Sequence, residues 1–101
     1  MNYTENFEGI KMDVQAVDIN ISKTLHQRIR EMIVRLRQHI SEINWIDIYL
    51  KKEIAYSTAN RTLSVRVGIP GNDVFASDSG NNWMTLLKNV EEKLRRQLEK
   101  R

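Results

Sequence analysis

The chain of 101 residues contains no cysteine. This absence excludes a disulfide framework, a thiolate metal site and a cysteine nucleophile. No apolar run approaches the roughly 20 residues that a membrane-spanning helix requires. Residues 1–10 carry two glutamates and no lysine or arginine, so they do not form a secretory signal. Together these absences predict a cytoplasmic protein.

Groups that support catalysis are scarce. The two histidines, His26 and His39, are thirteen residues apart on one predicted helix and point more than about 100° apart, so they cannot hold one metal ion together. No histidine pairs recognisably with a serine nucleophile, and residues 68–72 lack the glycine–lysine–hydroxyl pattern of a phosphate loop. We therefore predict that the protein is not an enzyme and uses no cofactor, metal ion or small-molecule substrate.

Four segments alternate apolar and polar residues, which is typical of half-buried strands. They are residues 10–17, 45–52, 62–69 and 74–78. Phe75 is the expected core anchor of the last of these strands. Pro70 and Gly71 predict a tight turn before it, and the small polar residues 54–60 predict a connection between the second and third strands.

Two further segments carry apolar residues at spacings of three and four, which predicts helices over residues 22–39 and 82–100. Ser22 and Asn82 are suitable N-caps, because their side-chain oxygens can accept hydrogen bonds from the first helical turn. Trp83, at the start of the second helix, is expected to anchor the core. Each helix has one apolar stripe and each strand one apolar face, so both helices should cover the same face of the sheet.

The order of these elements predicts one α+β domain over residues 10–101. Its expected architecture is a βαβββα two-layer sandwich, in which a four-stranded mixed sheet carries both helices on one face. The first strand–helix–strand unit should be a right-handed parallel crossover, and the later strands should form an antiparallel meander. Residues 1–9 show no sustained periodicity and are expected to be a flexible N-terminal extension.

Positive charge is concentrated on the helices. The net charge of the chain is +3, whereas residues 22–39 carry +4 and residues 82–101 carry +3, so the remainder is acidic. Basic residues are good helix formers that solubilise exposed faces, which is one explanation. The other is binding to nucleic acid, because lysine and arginine on rigid helices neutralise phosphates and release counterions. Helices that lie side by side would border a common basic groove suited to structured RNA.

Two aromatic residues, Trp45 and Tyr49, fall on the predicted open face of the sheet. They can stack on nucleobases, but such residues more often stiffen a sheet by cross-strand pairing. The same face is the expected contact surface if the protein is instead an interaction module that docks a protein partner or self-associates.

The second helix closes with Glu-Lys-Leu-Arg-Arg-Gln-Leu-Glu-Lys at residues 92–100. This segment resembles the Lys-Leu-x-Arg-Gln-Leu-x-Lys motif of the short ribosome hibernation-promoting factors, a family that includes ribosome-associated protein Y and the sigma-54 modulation proteins. Residues 11–18, Lys-Met-Asp-Val-Gln-Ala-Val-Asp, resemble the first strand of that family. The apolar positions of its first helix match Leu25, Ile29, Ile33 and Leu36. The family's fold is a βαβββα sandwich similar to double-stranded-RNA-binding domains.

This resemblance implies a translation inhibitor that is active under stress or in stationary phase. Family members bind the small ribosomal subunit in the channel for messenger and transfer RNA at the decoding region. They contact ribosomal RNA through basic helix flanks, and a monomer is expected away from the ribosome. By position, the resemblance assigns RNA contacts to Lys93, Arg96 and Lys100 of the second helix and to Arg35 of the first. His26 falls where a basic residue is common.

The remaining candidates for RNA binding depend on helix charge alone. They are Lys23, Arg28, Arg30, Arg37 and Arg95. Residues 79–84, Ser-Gly-Asn-Asn-Trp-Met, lack the lysine, the histidine and the capping aspartate that many family members have there. Missing charges predict weaker phosphate binding than in those members. A general binder of double-stranded or otherwise structured RNA is a further alternative.

Overall fold

The structure, a computed structural model, describes residues 2–55 and 58–100. Its elements in chain order are β1 (Asn2–Phe7), β2 (Ile10–Val17), α1 (Lys23–Leu36), β3 (Trp45–Ala55), β4 (Thr58–Ile69), β5 (Asn72–Gly80) and α2 (Trp83–Glu99). The five strands form one sheet in the order β1-β2-β3-β4-β5. Neighbouring strands are antiparallel except β2 and β3, which are parallel. The predicted α+β sandwich is confirmed, with five strands instead of four.

The additional strand comes from the residues that were expected to form a flexible extension. Residues 2–7 form the edge strand β1, which pairs with β2. Glu8 and Gly9 have positive φ angles of 50° and 85° and make the two-residue turn between these strands. Tyr3 and Phe7 pack against the core. A hydrophobic period does not reveal this strand, because the inward position between these two aromatic residues is a glutamate.

A single apolar layer joins the sheet to both helices. No polar or charged residue is buried in the described part of the chain. Met12, Ile46 and Val65 point into this layer from the central strands, Ile29 from α1 and Leu94 from α2, all with 0% exposure. Full burial of such a side chain contributes roughly 1.5–3 kcal/mol to folding. The apolar stripes predicted for the two helices are therefore the surfaces that hold them on the sheet.

Both helices begin at their predicted caps. The hydroxyl of Ser22 accepts a hydrogen bond from the backbone N–H of Leu25 at 3.1 Å. Asn82 Oδ1 accepts from the N–H groups of Met84 and Thr85 at 2.9 and 3.2 Å. Caps of this kind typically contribute about 1 kcal/mol each.

Two predicted boundaries are wrong. Helix α1 ends at Leu36, with Arg37 as its C-cap, three residues before the predicted end. Most of the predicted connection 54–60 is strand, since β3 continues to residue 55 and β4 begins at residue 58; residues 56–57 lie outside the described residues. Ile54 is 73% exposed, so this part of the hairpin lies outside the core and no apolar alternation marks it.

The predicted anchor of the last strand is also wrong. Val74 and Ala76 face the core, whereas Phe75 is 43% exposed on the open face of the sheet. The guanidinium of Arg66 lies 4.8 Å from the centre of the Phe75 ring, which is a cation–π contact. Trp83 is half-buried against the core and packs there as expected.

The two edges of the sheet are covered differently. On β5, Gln97 of α2 bonds both backbone groups of Phe75: its Nε2 donates to the carbonyl at 2.6 Å and its Oε1 accepts from the N–H at 3.2 Å. Lys93 of the same helix donates to the carbonyl of Ser77 at 2.8 Å. Helix α2 therefore occupies polar groups that would otherwise be open to strand addition. Strand β1 forms the opposite edge.

Trp45 has a structural role on the open face. It is the register partner of Gly68 on β4, and its indole covers that glycine. A Cβ atom added at Gly68 would lie 2.1 Å from Trp45 Cε2. The aromatic ring thus fills the space that a side chain on β4 would otherwise take.

Gly68→Ala is expected to destabilise the fold, because the added methyl group needs space that the indole occupies. Overpacking of this kind typically costs about 1–3 kcal/mol. Urea unfolding followed by circular dichroism measures the loss. In a Trp45→Ala background the same substitution should cost much less, and equal costs in the two backgrounds would contradict the close packing.

Candidate nucleic-acid interface

The two basic helices lie together on one face of the sheet, as their apolar stripes predict. A two-pronged ion pair joins them: Arg35 of α1 donates from Nε and Nη2 to the carboxylate of Glu91 on α2, at 2.7 and 2.8 Å. The Arg35 side chain is about half exposed, so this pair contributes little to stability. Its main consequence is that the Glu91 carboxylate neutralises the charge of Arg35, which was predicted to contact RNA.

The groove between the helices is a shallow cavity of about 470 Å³. Its basic lining residues are Arg28, Arg35 and Lys88, and its acidic ones are Glu91 and Glu92. Lys88, which the sequence motifs do not single out, has no carboxylate partner among the described residues; only the overall charge of the helix signals it. The groove therefore mixes both signs of charge and is not the uniformly basic cleft that helix charge alone predicts.

Lys93, Arg96 and Lys100 follow the other flank of α2. Lys93 donates to a carbonyl of β5 and lies 3.9 Å from the carboxylate of Asp78 on that strand. Spacings of three and four place Arg96 and Lys100 beside it. The expectation that the basic flanks of both helices border one groove is therefore wrong for these three residues. Arg96 and Lys100 are nevertheless exposed, and Arg96 meets a carboxylate, that of Glu92, only at 3.4 Å.

Strand β1 covers the flank of α1 that faces away from α2. Arg30 donates from Nε and Nη2 to the Glu5 carboxylate at 2.8 and 2.6 Å. His26 donates from Nε2 to the same carboxylate at 3.2 Å, and its Nδ1 is hydrogen-bonded to the Tyr3 hydroxyl. The hydrogen bonds from Arg30, with a smaller contribution from His26, lower the pKa of Glu5 to about 2. Two predicted RNA contacts therefore have partners inside the protein.

The remaining candidates differ in how free their charge is. Arg37 donates from Nη1 to the carbonyl of Glu8 at 3.1 Å, and Arg28 lies 3.4 Å from Glu31. Arg95 is bonded to the carboxylates of two glutamates of its own helix, Glu92 and Glu99. In the described ranges, the exposed cations without any carboxylate partner on the helix layer are Lys23, Lys88 and Lys100.

The open face of the sheet is less suited to phosphate. A cavity of about 520 Å³ there is lined by Tyr49, Phe75 and Arg66, but also by two carboxylates. Asp13 and Asp47 are register partners on adjacent parallel strands, so their charges repel an anion. Among residues 2–55 and 58–100, no group of three or more potential ligands is arranged to hold a metal ion. None of the helices in these residue ranges has the length and apolar character that a membrane span requires.

Comparison with solved structures identifies the fold. The Protein Y N-terminal domain of Thermus thermophilus superposes with a TM-score of 0.75 at 14% identity, covering 90% of this chain and 96% of that domain. A ribosomal subunit interface protein from Coxiella burnetii gives a TM-score of 0.71 at 21% identity, with coverage of 86% and 93%. The chain therefore shares its fold with both of these proteins.

Sequence comparison identifies the family. The model of the family described as "Sigma 54 modulation protein / S30EA ribosomal protein" matches residues 12–101. The Ribosome hibernation promoting factor of Acinetobacter guillouiae is 23% identical over 97 residues, covering 90% of this chain and 86% of that protein. The protein of the same name from Escherichia coli (strain K12) is 25% identical over 91 residues, with coverage of 90% and 92%. The chain belongs to this family, which is non-enzymatic, so the prediction of a non-enzyme is confirmed.

Acid should weaken the attachment of β1 to α1. Because the pKa of Glu5 falls from 4.5 to about 2 on folding, the stabilisation it provides is complete above pH 4.5 and is lost as the pH falls towards 2. Wild type should therefore exceed Glu5→Gln in urea midpoint at pH 6, and the difference should shrink between pH 4.5 and 2. A difference that is independent of pH over this range would contradict the ion pair.

Proposed function

We propose that this chain is a ribosome-associated hibernation factor that inhibits translation. The observation that carries the proposal is the family match over residues 12–101, supported by two relatives that bear the name Ribosome hibernation promoting factor. The match to this chain covers 86% and 92% of the length of these two relatives, so the comparison is with whole proteins and not with a fragment of them. A ribosome-bound protein of this kind acts in the cytoplasm.

We further propose that the partner is the RNA of the small ribosomal subunit. The helix layer offers exposed cations, whereas the open face of the sheet has the aspartate pair at its centre. The proposed contact residues with free or weakly paired charge are Lys23, Arg28, Lys88, Arg96 and Lys100. Lys93 also belongs to this set, because its side chain is 48% exposed, although its ammonium group also donates to the carbonyl of Ser77 on β5.

The proposed mechanism is occlusion. A rigid domain whose basic helix layer rests on the RNA of the decoding channel occupies the volume that messenger and transfer RNA need. Such contacts are made with phosphates, so they require positive charge at fixed positions but no base-specific groups. The fold provides this rigidity, because both helices are held by the same apolar layer. Binding should therefore weaken steeply as salt rises.

Co-sedimentation with small ribosomal subunits over a series of salt concentrations tests the proposal. Lys93→Ala/Arg96→Ala/Lys100→Ala should bind at least tenfold more weakly than wild type at low salt, because three phosphate contacts are lost. Circular dichroism should show an unchanged fold, since all three side chains are exposed.

The matched control is Lys11→Ala/Arg66→Ala/Lys51→Ala, which removes the same charge from the open face of the sheet. It should bind nearly as well as wild type. Equal weakening by both triple variants would mean that net charge and not a defined surface governs binding. Competition by arbitrary RNA duplexes as strong as that by ribosomes would favour a general RNA binder, and recovery of a protein partner without ribosomal RNA would favour an interaction module.

A further inference from the structure

Strand β1 precedes the residues that match the family, yet it touches the helix layer on which the proposed function depends. The family match begins at residue 12, within β2. Strand β1 is held against β2 from the Asn2–Gln15 pair to the Phe7–Ile10 pair. Its inward-facing residues then reach α1, so a segment outside the family match contacts one side of a basic helix.

The residues that β1 and its turn contact are the basic ones of a single flank. His26, Arg30 and Arg37 fall within about 40° of one another around the axis of α1. Glu5 and Tyr3 engage the first two, and the carbonyl of Glu8 accepts from the third. Each basic residue of this flank that was predicted to bind RNA has a partner among residues 2–9, except Lys23 at the exposed start of the helix.

We propose that β1 and its turn, residues 2–9, act as a strap that closes this flank of α1 to RNA. The inference rests on the proposed function and adds a form of control over the same surface. With the strap in place, phosphate contacts come only from the other basic residues of the helix layer. When the Glu5 carboxylate is removed, the basic residues of this flank become available to RNA together with the rest of the helix layer.

The geometry of the Glu5–Arg30 pair explains why a phosphate does not simply replace the carboxylate. The two parallel hydrogen bonds occupy the edge of the guanidinium formed by Nε and Nη2, which is a bidentate site that a phosphate would otherwise use. The side chains of Glu5 and Arg30 are only 25% and 29% exposed. The carboxylate is also held by strand pairing, so an incoming phosphate competes with a group at high local concentration. Arg28, on the opposite flank, is 60% exposed and meets its carboxylate only at 3.4 Å.

A purely structural role for β1 predicts a different result. If the ion pair only attaches the strand, its removal lowers stability and leaves RNA binding unchanged or weaker. If it closes the flank, its removal strengthens RNA binding even though stability falls. Affinity and stability should therefore move in opposite directions, which a structural role alone does not produce.

The test measures binding of the full-length chain to small ribosomal subunits in a salt series. Glu5→Ala should bind severalfold more tightly than wild type at low salt, and its plot of log affinity against log salt should steepen by roughly 0.7–0.9, the value for one added phosphate contact. Glu5→Ala/Arg30→Ala should return to the wild-type slope. The matched control is Glu53→Ala, which removes a carboxylate paired with Lys51 at 2.9 Å on the open face of the sheet. Equal gains from Glu5→Ala and Glu53→Ala would overturn the proposal, because net charge alone would then explain them. If Glu5→Ala does not fold, Glu5→Gln should give a smaller gain in the same direction.

A second measurement tests the closure without RNA. Modification of arginine by phenylglyoxal, followed by mass spectrometry, should be much slower at Arg30 than at Arg28 in wild type and similar at the two residues in Glu5→Ala. Equal rates in wild type would overturn the strap and leave the proposed function untouched. If Arg30 is protected but neither wild type nor Glu5→Ala binds small subunits, the proposed function fails, and the strap has no RNA surface to control.

Discussion

The apolar layer between one face of the sheet and the two helices is the constraint on which the rest of the structure depends. No polar or charged residue is buried in the described ranges, so no charge holds the layers together from within. The ionisable side chains of these ranges are therefore at the surface or its boundary, and the layer fixes where on the surface they stand. The rigid spacing of basic residues that an RNA partner would meet is a consequence of side chains such as Ile29 and Leu94, which never contact it.

Elements with a clear hydrophobic period could be predicted from the sequence, together with the caps at Ser22 and Asn82. The misplaced anchor on β5 shows the limit of such patterns. The stretch Val74-Phe75-Ala76 fits either phase of an alternating strand, and the larger side chain favours the wrong one. The register decides instead: β4 and β5 turn between Ile69 and Asn72, which places Val74 opposite the buried Val67. The register of two strands across a turn depends on tertiary structure, and the size of a residue does not predict it.

The total charge of the candidate site could be predicted from the sequence, but not which of its cations are free of carboxylate partners. The ion pairs that decide which cations are available join residues far apart in sequence, as in Arg30 with Glu5 and Arg35 with Glu91. A sequence shows only local pairs, and even there the tertiary environment selects among them. Spacing of four predicts a Glu92–Arg96 pair, which the structure has at 3.4 Å, but Glu92 is more closely bonded to Arg95, whose hydrogen bond lowers the pKa of that carboxyl.

The division of labour between arginine and lysine follows from the shapes of the two side chains. A planar guanidinium matches a carboxylate with two parallel hydrogen bonds, so Arg30, Arg35 and Arg95 are each paired in this way with a glutamate of the chain. The ammonium groups of Lys23 and Lys88 have no such partner among the described residues and remain hydrated point charges. A surface whose free cations are largely lysines attracts phosphates by charge and position, with little directional preference for any base. It fits the proposed partner, because structured RNA presents a rigid array of phosphates while an unstructured single strand does not.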